Sequence, residues 1–168
     1  ISSLAAAYRA AGVVTGASVL VIGGGMLGLT AADFGKESGV GSVTLCEPNR
    51  QRRERAEAFG ADEATTLEDL ACSGNRFGVI FECSGSAEAI EAACRLGDVG
   101  AKVMLIGSVM QSRPVKIDPT SLVRGWISIC GIHNYAPTDL RRAIEFVRES
   151  HTKYPLVELV ETSFALSD

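Results

Sequence analysis

The stretch Ser18-Val19-Leu20-Val21-Ile22-Gly23-Gly24-Gly25-Met26-Leu27-Gly28 decides the reading of this chain. An apolar run of strand length meets three glycines at the spacing Gly-x-Gly-x-x-Gly, and a helical pattern opens on the far side. Gly23 turns the chain off the strand. Gly25 lets bare backbone approach a ligand, since a Cβ there would fill the space that ligand needs. Gly28 lets the helix lie close on the sheet, so that the first-turn N–H groups near Met26 and Leu27 aim at negative charge. Nineteen positions past Gly28 (47 − 28), Glu47 closes the next apolar run. An acid at that distance accepts hydrogen bonds from ribose hydroxyls, so strand, loop, helix, strand and terminal acid together predict a site for a dinucleotide.

Outward from that stretch, apolar runs recur at Val43 to Cys46, Phe77 to Phe81, Val103 to Ile106 and Trp126 to Cys130, with a weaker one near Ala64 to Thr66. They lack in-and-out alternation, as strands covered on both faces do. Helical patterns lie between them. Met26 to Glu37 is the first; Arg50 to Phe59 follows the cap Asn49 and ends at Gly60; Ala87 to Leu96 follows Ser86 and ends at Gly97. A last helix after Thr138 places Leu140, Ala143, Ile144 and Val147 on one stripe, and Ser3 caps an alanine-rich helix from Leu4 to Ala11 that stops at Gly12. Right-handed crossovers between six strands give an α/β fold, a doubly wound six-stranded parallel sheet of order 3-2-1-4-5-6.

At 168 residues the chain is one domain, with 46% hydrophobic and 21% charged residues and a net charge of −4. That balance offers no basic field for nucleic acid or anionic lipid, and points to small molecules or further copies of the chain as partners. The apolar runs fall short of the ~18 residues of a membrane span, and Ile1 to Gly12 lacks the basic start and apolar middle of a signal peptide. A cytoplasmic protein is the expectation. Five cysteines, at 46, 72, 83, 94 and 130, contain no Cys-x-x-Cys pair, which argues against a disulfide framework and a structural zinc knot and predicts reduced, mostly buried thiols.

Sheets of this kind bind ligands beyond the carboxyl ends of the strands, where the strand order reverses. Glu47 favours NAD over NADP, because a 2′-phosphate would set two anions together. Against that stand Arg50, Arg52, Arg53 and Arg55, read mainly as a solvated helix face with Glu54 and Glu57 as charge partners; Arg52, five past Glu47, is the one placed on the cofactor. Cys83 and Ser84 at the end of the fourth strand pass beneath the riboses. Gly107 and Ser108 after the fifth strand, and Gly131 with Ile132 after the sixth, are positioned for the carboxamide end. Glu82 reads as a structural acceptor. His133 reads as loop lining, His151 as an exposed residue at a helix end, and no zinc site assembles from these residues.

The residues Val19 to Leu29, Glu47 with Arg52, Ala58-Phe59-Gly60-Ala61-Asp62, Glu82-Cys83-Ser84-Gly85, Val103 to Gly107 and Leu122-Val123-Arg124-Gly125 resemble the nucleotide-binding (Rossmann) domain of the medium-chain, zinc-dependent alcohol dehydrogenases. The resemblance covers essentially the whole chain, and Gly131 to Tyr135 with the helix after Thr138 is similar to a branch associated with phosphonate breakdown. It implies cofactor contacts at Gly23, Gly25, Gly28, Glu47 and Arg52. The usual acid at position 47 is Asp, and the longer Glu preserves the ribose contact. It also implies that the catalytic zinc ligands, proton relay and substrate pocket belong to an N-terminal domain of about 150 residues absent from this chain. Ile1 to Gly12 then resembles the joining helix and 157–168 the segment returning to that domain, so the expectation is a fragment that binds NAD(H) without being active alone. Family members pair their sheets through the last strand, which implies a homodimer. A stand-alone regulatory module that senses nucleotide is the alternative reading. A methyltransferase fits less well, since Leu27 stands where its tighter loop would need Gly.

Overall fold

The computed structural model describes residues 1–160. Helix α1 (Ser2–Ala11) leads to strand β1 (Ser18–Ile22), helix α2 (Met26–Glu37) and strand β2 (Ser42–Cys46). A short helix α3 (Arg50–Arg53) and a 3-10 turn at Glu57–Phe59 precede strand β3 (Glu63–Thr65) and helix α4 (Leu67–Ser73). Strand β4 (Phe77–Glu82), helix α5 (Ala87–Leu96) and strand β5 (Gly97–Leu105) follow, then helix α6 (Pro119–Gly125), strand β6 (Ser128–Gly131) and helix α7 (Pro137–Ser150). The six strands are all parallel in the order β3-β2-β1-β4-β5-β6, the expected doubly wound sheet.

Both faces of the central strands are covered, which is why their sequences read as unbroken apolar runs. Val19, Val21, Val43, Leu45 and Phe81 pack toward α1 and α2, while Leu20, Ile22, Ile80 and Val103 pack toward α5 and Leu70 of α4. On the first face the rings of Phe81, Tyr8, Phe34 and Phe146 form a chain with centroids 4.3, 5.1 and 5.0 Å apart, joining sheet, α1, α2 and α7. Tyr8 also donates to the Ala31 carbonyl at 2.7 Å. Asp139, buried, clamps the same corner: it accepts from Arg9 Nε and Nη2 at 2.8 and 2.9 Å and from the Ala136 N–H at 2.8 Å. That pairing holds its carboxyl down at about 2.

Several local expectations are corrected. Ser3 lies inside α1, whose cap position is Ile1. The helix expected over Arg50 to Phe59 breaks after Arg53, because the bonds Arg55→Arg52, Ala56→Arg53 and Phe59→Ala56 tighten it into turns that swing Phe59 into the core. In α7 the buried stripe is Asp139, Ala143, Phe146 and Ser150, so Leu140, Ile144 and Val147 are largely exposed: the Arg9 clamp and the Phe34 ring set the rotation of the helix. Helices α4 and α6 were not expected. Helix α5 does end at Gly97 as expected, and that residue, in extended backbone, opens β5 directly. Trp126 is not in the last strand; it ends α6 with φ 49 and is 78% exposed. Of the cysteines, Cys46 and Cys94 are buried and Cys83 half-buried, but Cys72 and Cys130 are exposed. Within 157–168 the described part holds only the end of the 3-10 turn Leu156–Leu159, and 161–168 lie outside the described residues. Among the described residues no helix is long and apolar enough to cross a membrane.

One contact seats α2 on the sheet. A Cβ at Gly28 would stand 1.6 Å from the Gly23 carbonyl oxygen, so the helix reaches its place only because position 28 has no side chain. Nothing lies within 4 Å of a Cβ at Gly25. Gly28→Ala is expected to cost at least about 3 kcal/mol in chemical unfolding, whereas Gly25→Ala leaves stability nearly unchanged.

Asp33 of α2 supplies a second test. It is fully buried, its side-chain oxygens have no hydrogen-bond partner among the described residues, and burial pushes its pKa from 3.8 to about 8. Between those values the folded chain keeps a proton that the unfolded chain has lost, so stability falls as pH rises, by up to about 1.4 kcal/mol per pH unit. Asp33→Asn is therefore expected to raise the thermal midpoint clearly at about pH 7.5 and little at about pH 5, read by circular dichroism.

Candidate nucleotide-binding site

The registers Ile22↔Cys46, Ile22↔Glu82, Glu82↔Leu105 and Leu105↔Gly131 bring the ends of five strands to one level. Gly23, Glu47, Cys83, Ile106 and Ile132 are the residues that step off that edge. Gly23, at φ 110, turns the chain between two neighbours: its N–H donates to the Cys46 carbonyl at 2.8 Å, and a Cβ there would meet Ser84 N at 3.1 Å. Gly25 is the cap residue of α2, so the N–H groups of Met26, Leu27 and Gly28 open toward the space in front of it.

Glu47 is buried, and both carboxylate oxygens accept from backbone: Oε2 from the Gly24 N–H at 2.7 Å and Oε1 from the Asn49 N–H at 2.8 Å. Arg53 reinforces the corner by donating to the Glu47 carbonyl at 2.7 Å. Beside it lies a hollow of about 270 Å³ lined by Gly24, Gly25, Met26, Arg52, Arg55 and Leu159. Of the arginine cluster, Arg50 pairs with Glu54 at 2.8 Å, Arg53 donates to the Glu47 and Pro48 carbonyls, and Arg55 donates to the Glu158 carbonyl at 3.1 Å. Arg52 faces the hollow, and among the described residues its guanidinium has no hydrogen-bond partner. The solvated-face expectation holds for Arg50 and fails for Arg53 and Arg55, which fold onto main-chain carbonyls.

A second hollow of about 420 Å³ continues along the strand ends, with Leu27, Cys83, Ile106, Gly107, Ile132 and His133 among its lining. Glu82, fully buried, shapes its floor. It accepts from Ser84 N at 2.8 Å, Ser84 Oγ at 2.5 Å and Gly85 N at 3.0 Å, the structural role expected of it. The Cys83 thiol is held protonated by burial and by the neighbouring Glu82. Ser84 is turned toward Glu82, Ser108 is exposed, and Gly131 stops one residue short of the lining. Within the stretch after β5 expected to give backbone contacts to the carboxamide end, the Gly107 N–H donates to the Glu82 carbonyl at 3.0 Å. Outward from Ser108 the chain is tacked to α5 by Arg113, which pairs with Glu88 and Glu91 at 2.7 and 2.8 Å. His151 is exposed at the end of α7, and among the described residues no group of three or more His, Cys, Asp or Glu can hold a metal.

Sequence reasoning missed Gly24, Asn49, Arg55 and Leu159. The signal for Gly24 was present: three consecutive glycines stand where the motif needs only the first and third, and a Cβ at Gly24 would lie 2.8 Å from Glu47 Cγ.

Comparison with known proteins agrees with this geometry. Residues 27–149 match the family model described as zinc-binding dehydrogenase. The chain is 33% identical over 121 residues to an L-threonine 3-dehydrogenase of Pyrococcus abyssi, covering 67% of this chain and 34% of that enzyme. Among solved structures it resembles a zinc-binding dehydrogenase of Sinorhizobium meliloti bound to NADP, with a TM-score of 0.81, 23% identity and coverage of 89% and 46%. It also resembles an Escherichia coli alcohol dehydrogenase complexed with NADH, with a TM-score of 0.78, 22% identity and coverage of 89% and 46%. The chain thus spans less than half the length of these relatives. With the family model matched over most of its length on a six-stranded, doubly wound sheet, the chain belongs to the medium-chain, zinc-binding dehydrogenase family.

Proposed function

We propose that the chain is the NAD(H)-binding domain of a zinc-dependent, alcohol dehydrogenase-like oxidoreductase. The observation that carries this reading is the open space over Gly25, bounded by the N-terminal end of α2 on one side and by the Glu47 carboxylate on the other. Gly23, Gly25, Met26, Leu27 and Gly28 would hold the diphosphate, Glu47 and Arg52 the adenosine ribose, and the hollow lined by Cys83, Gly107 and Ile132 the nicotinamide end. When bound, the dinucleotide supplies a nicotinamide ring that accepts or releases hydride. The residues here bind and orient it. Each Glu47 oxygen keeps a lone pair beyond the one used by backbone, enough for ribose hydroxyls but unsuited to a 2′-phosphate. NAD is therefore preferred.

Zinc, proton relay and substrate pocket are assigned to further sequence of a longer protein, so this chain alone binds cofactor without turning over an alcohol. An apolar hollow of about 530 Å³ supports that assignment, since the exposed apolar residues Ile1, Met26, Val147, Val157 and Val160 contribute to its lining. The free cysteines fit a reducing cytoplasm. The edge strand β6, with Ile129 half-buried and Cys130 exposed, is the surface proposed to pair with a second copy.

Titration followed by NADH fluorescence is expected to saturate for the unmodified chain and to lose saturation in Gly25→Val and Glu47→Arg; no saturable signal up to about millimolar NADH overturns the reading. For the pairing surface, light scattering should show a dimer that Ile129→Pro converts to monomer, since proline removes a donor from the edge. A monomer in the unmodified chain ends that part.

A further inference from the structure

We infer that Glu47 is also a positioning residue: it fastens the Gly23–Gly25 turn in its ligand-ready shape before any nucleotide arrives. The observations are local and mutually dependent. Glu47 is buried at the end of β2, and its two oxygens are taken by the N–H groups of Gly24 on one loop and Asn49 on another, at 2.7 and 2.8 Å. Charge-assisted bonds to a buried carboxylate are the stronger kind, and losing the acceptor leaves two main-chain donors unpaired. The side chain lies directly against the turn, because a Cβ at Gly24 would stand 2.8 Å from Glu47 Cγ and 3.2 Å from Oε2. Glu47 therefore explains the middle glycine of the Gly-Gly-Gly run, which the phosphate-binding spacing does not require. Gly24 is the residue on which the carboxylate rests.

The consequence reaches past the sugar. The Gly24–Gly25 peptide leads into the cap of α2, so freeing the Gly24 N–H loosens the backbone that faces the diphosphate. Preset geometry of that kind shows as affinity, since ordering the loop then costs nothing on binding. A residue that served only the ribose would matter only to ligands that carry ribose hydroxyls. This inference rests on the nucleotide-binding reading above for its effect on affinity, but not for its effect on the loop.

The test compares ADP with 2′,3′-dideoxy-ADP, and pairs the titrations with amide exchange followed by nuclear magnetic resonance. In Glu47→Ala the expected result is a loss of affinity of at least about tenfold for both ligands. Exchange at Gly24 and Asn49 should accelerate at least about tenfold, while amides inside β1 and β4 keep their protection. Glu47→Gln retains an oxygen that accepts from Gly24, so it should restore Gly24 protection and most dideoxy-ADP affinity while Asn49 stays fast. Weakened ADP with unchanged dideoxy-ADP overturns the inference, as does unchanged Gly24 exchange. General loss of protection across the sheet also counts against it, since that reports a fold defect rather than a loosened turn. If neither nucleotide binds the unmodified chain, the nucleotide reading fails, and Gly24 exchange alone decides whether Glu47 fastens the turn. If Glu47→Ala does not fold, Glu47→Gln is judged on its own: fast Asn49 with slow Gly24 supports the inference, and any other pattern overturns it.

Discussion

The architecture of this domain turns on a backbone contact that tolerates no side chain, the Cα of Gly28 set against the carbonyl of Gly23. From it follows the placement of α2, and with α2 the direction in which the helix presents its unpaired N–H groups. Everything on that face of the sheet is built to hold α2 in place. The ring chain from Phe81 through Tyr8 and Phe34 to Phe146 presses α1 and α7 against it. Asp139, accepting from Arg9 and from the Ala136 N–H, fastens α7 to α1 in turn. Stability and binding geometry therefore share one set of residues on this side. The α5 side carries a second core behind the other strand faces and contributes to the site mainly through the loop after β4.

The features legible in the sequence were those fixed by local chemistry. Strand order followed from apolar runs long enough for strands and too continuous for one-sided sheets, and α2 and α5 were bounded correctly because a glycine turn and the Ser86 cap mark their starts without help from distant residues. Asn49 capped as expected, accepting from Arg52 N, yet the helix behind it broke within one turn. What breaks it is tertiary: Arg53 is drawn to the Glu47 carbonyl, and Phe59 must reach a core position that a regular helix would not give it. The rotation of α7 was hidden for the same reason. By hydrophobicity Leu140, Ala143, Ile144 and Val147 form the obvious stripe, but a buried carboxylate that has found Arg9 and a main-chain donor outweighs them.

At the site, the glycine spacing and the acid at the end of β2 were readable, because each answers a requirement of the ligand. Residues that answer a requirement of the protein were not. Asn49 supplies a main-chain N–H, for which its side chain carries no signal, and Gly24 is small because of a residue 23 positions away. The arginine cluster shows the limit of charge counting. Four like charges in six residues suggest a phosphate pocket, but Arg50 is met by Glu54, while Arg53 and Arg55 are turned onto main-chain carbonyls.

Three buried acids show how the protein separates working carboxylates from tolerated ones. Glu47 and Glu82 end neighbours of β1, and each gathers N–H donors from the loop that follows its own strand; Glu47 takes one from the glycine turn as well. Neither has a cation within ion-pair distance among the described residues. Main-chain N–H groups support both, joined at Glu82 by the Ser84 hydroxyl, so their positions are set largely by backbone and in turn set it. Asp33 lies as deep with no hydrogen-bonding partner among the described residues, and it meets burial by keeping its proton up to about pH 8. Two carboxylates at strand ends with donors arranged around them, against one inside a helix with none, is the difference expected if the fold invests its polar interactions where the chain changes direction. Those turns are also where the ligand must fit, so the residues that satisfy main-chain donors there are the ones that shape the site.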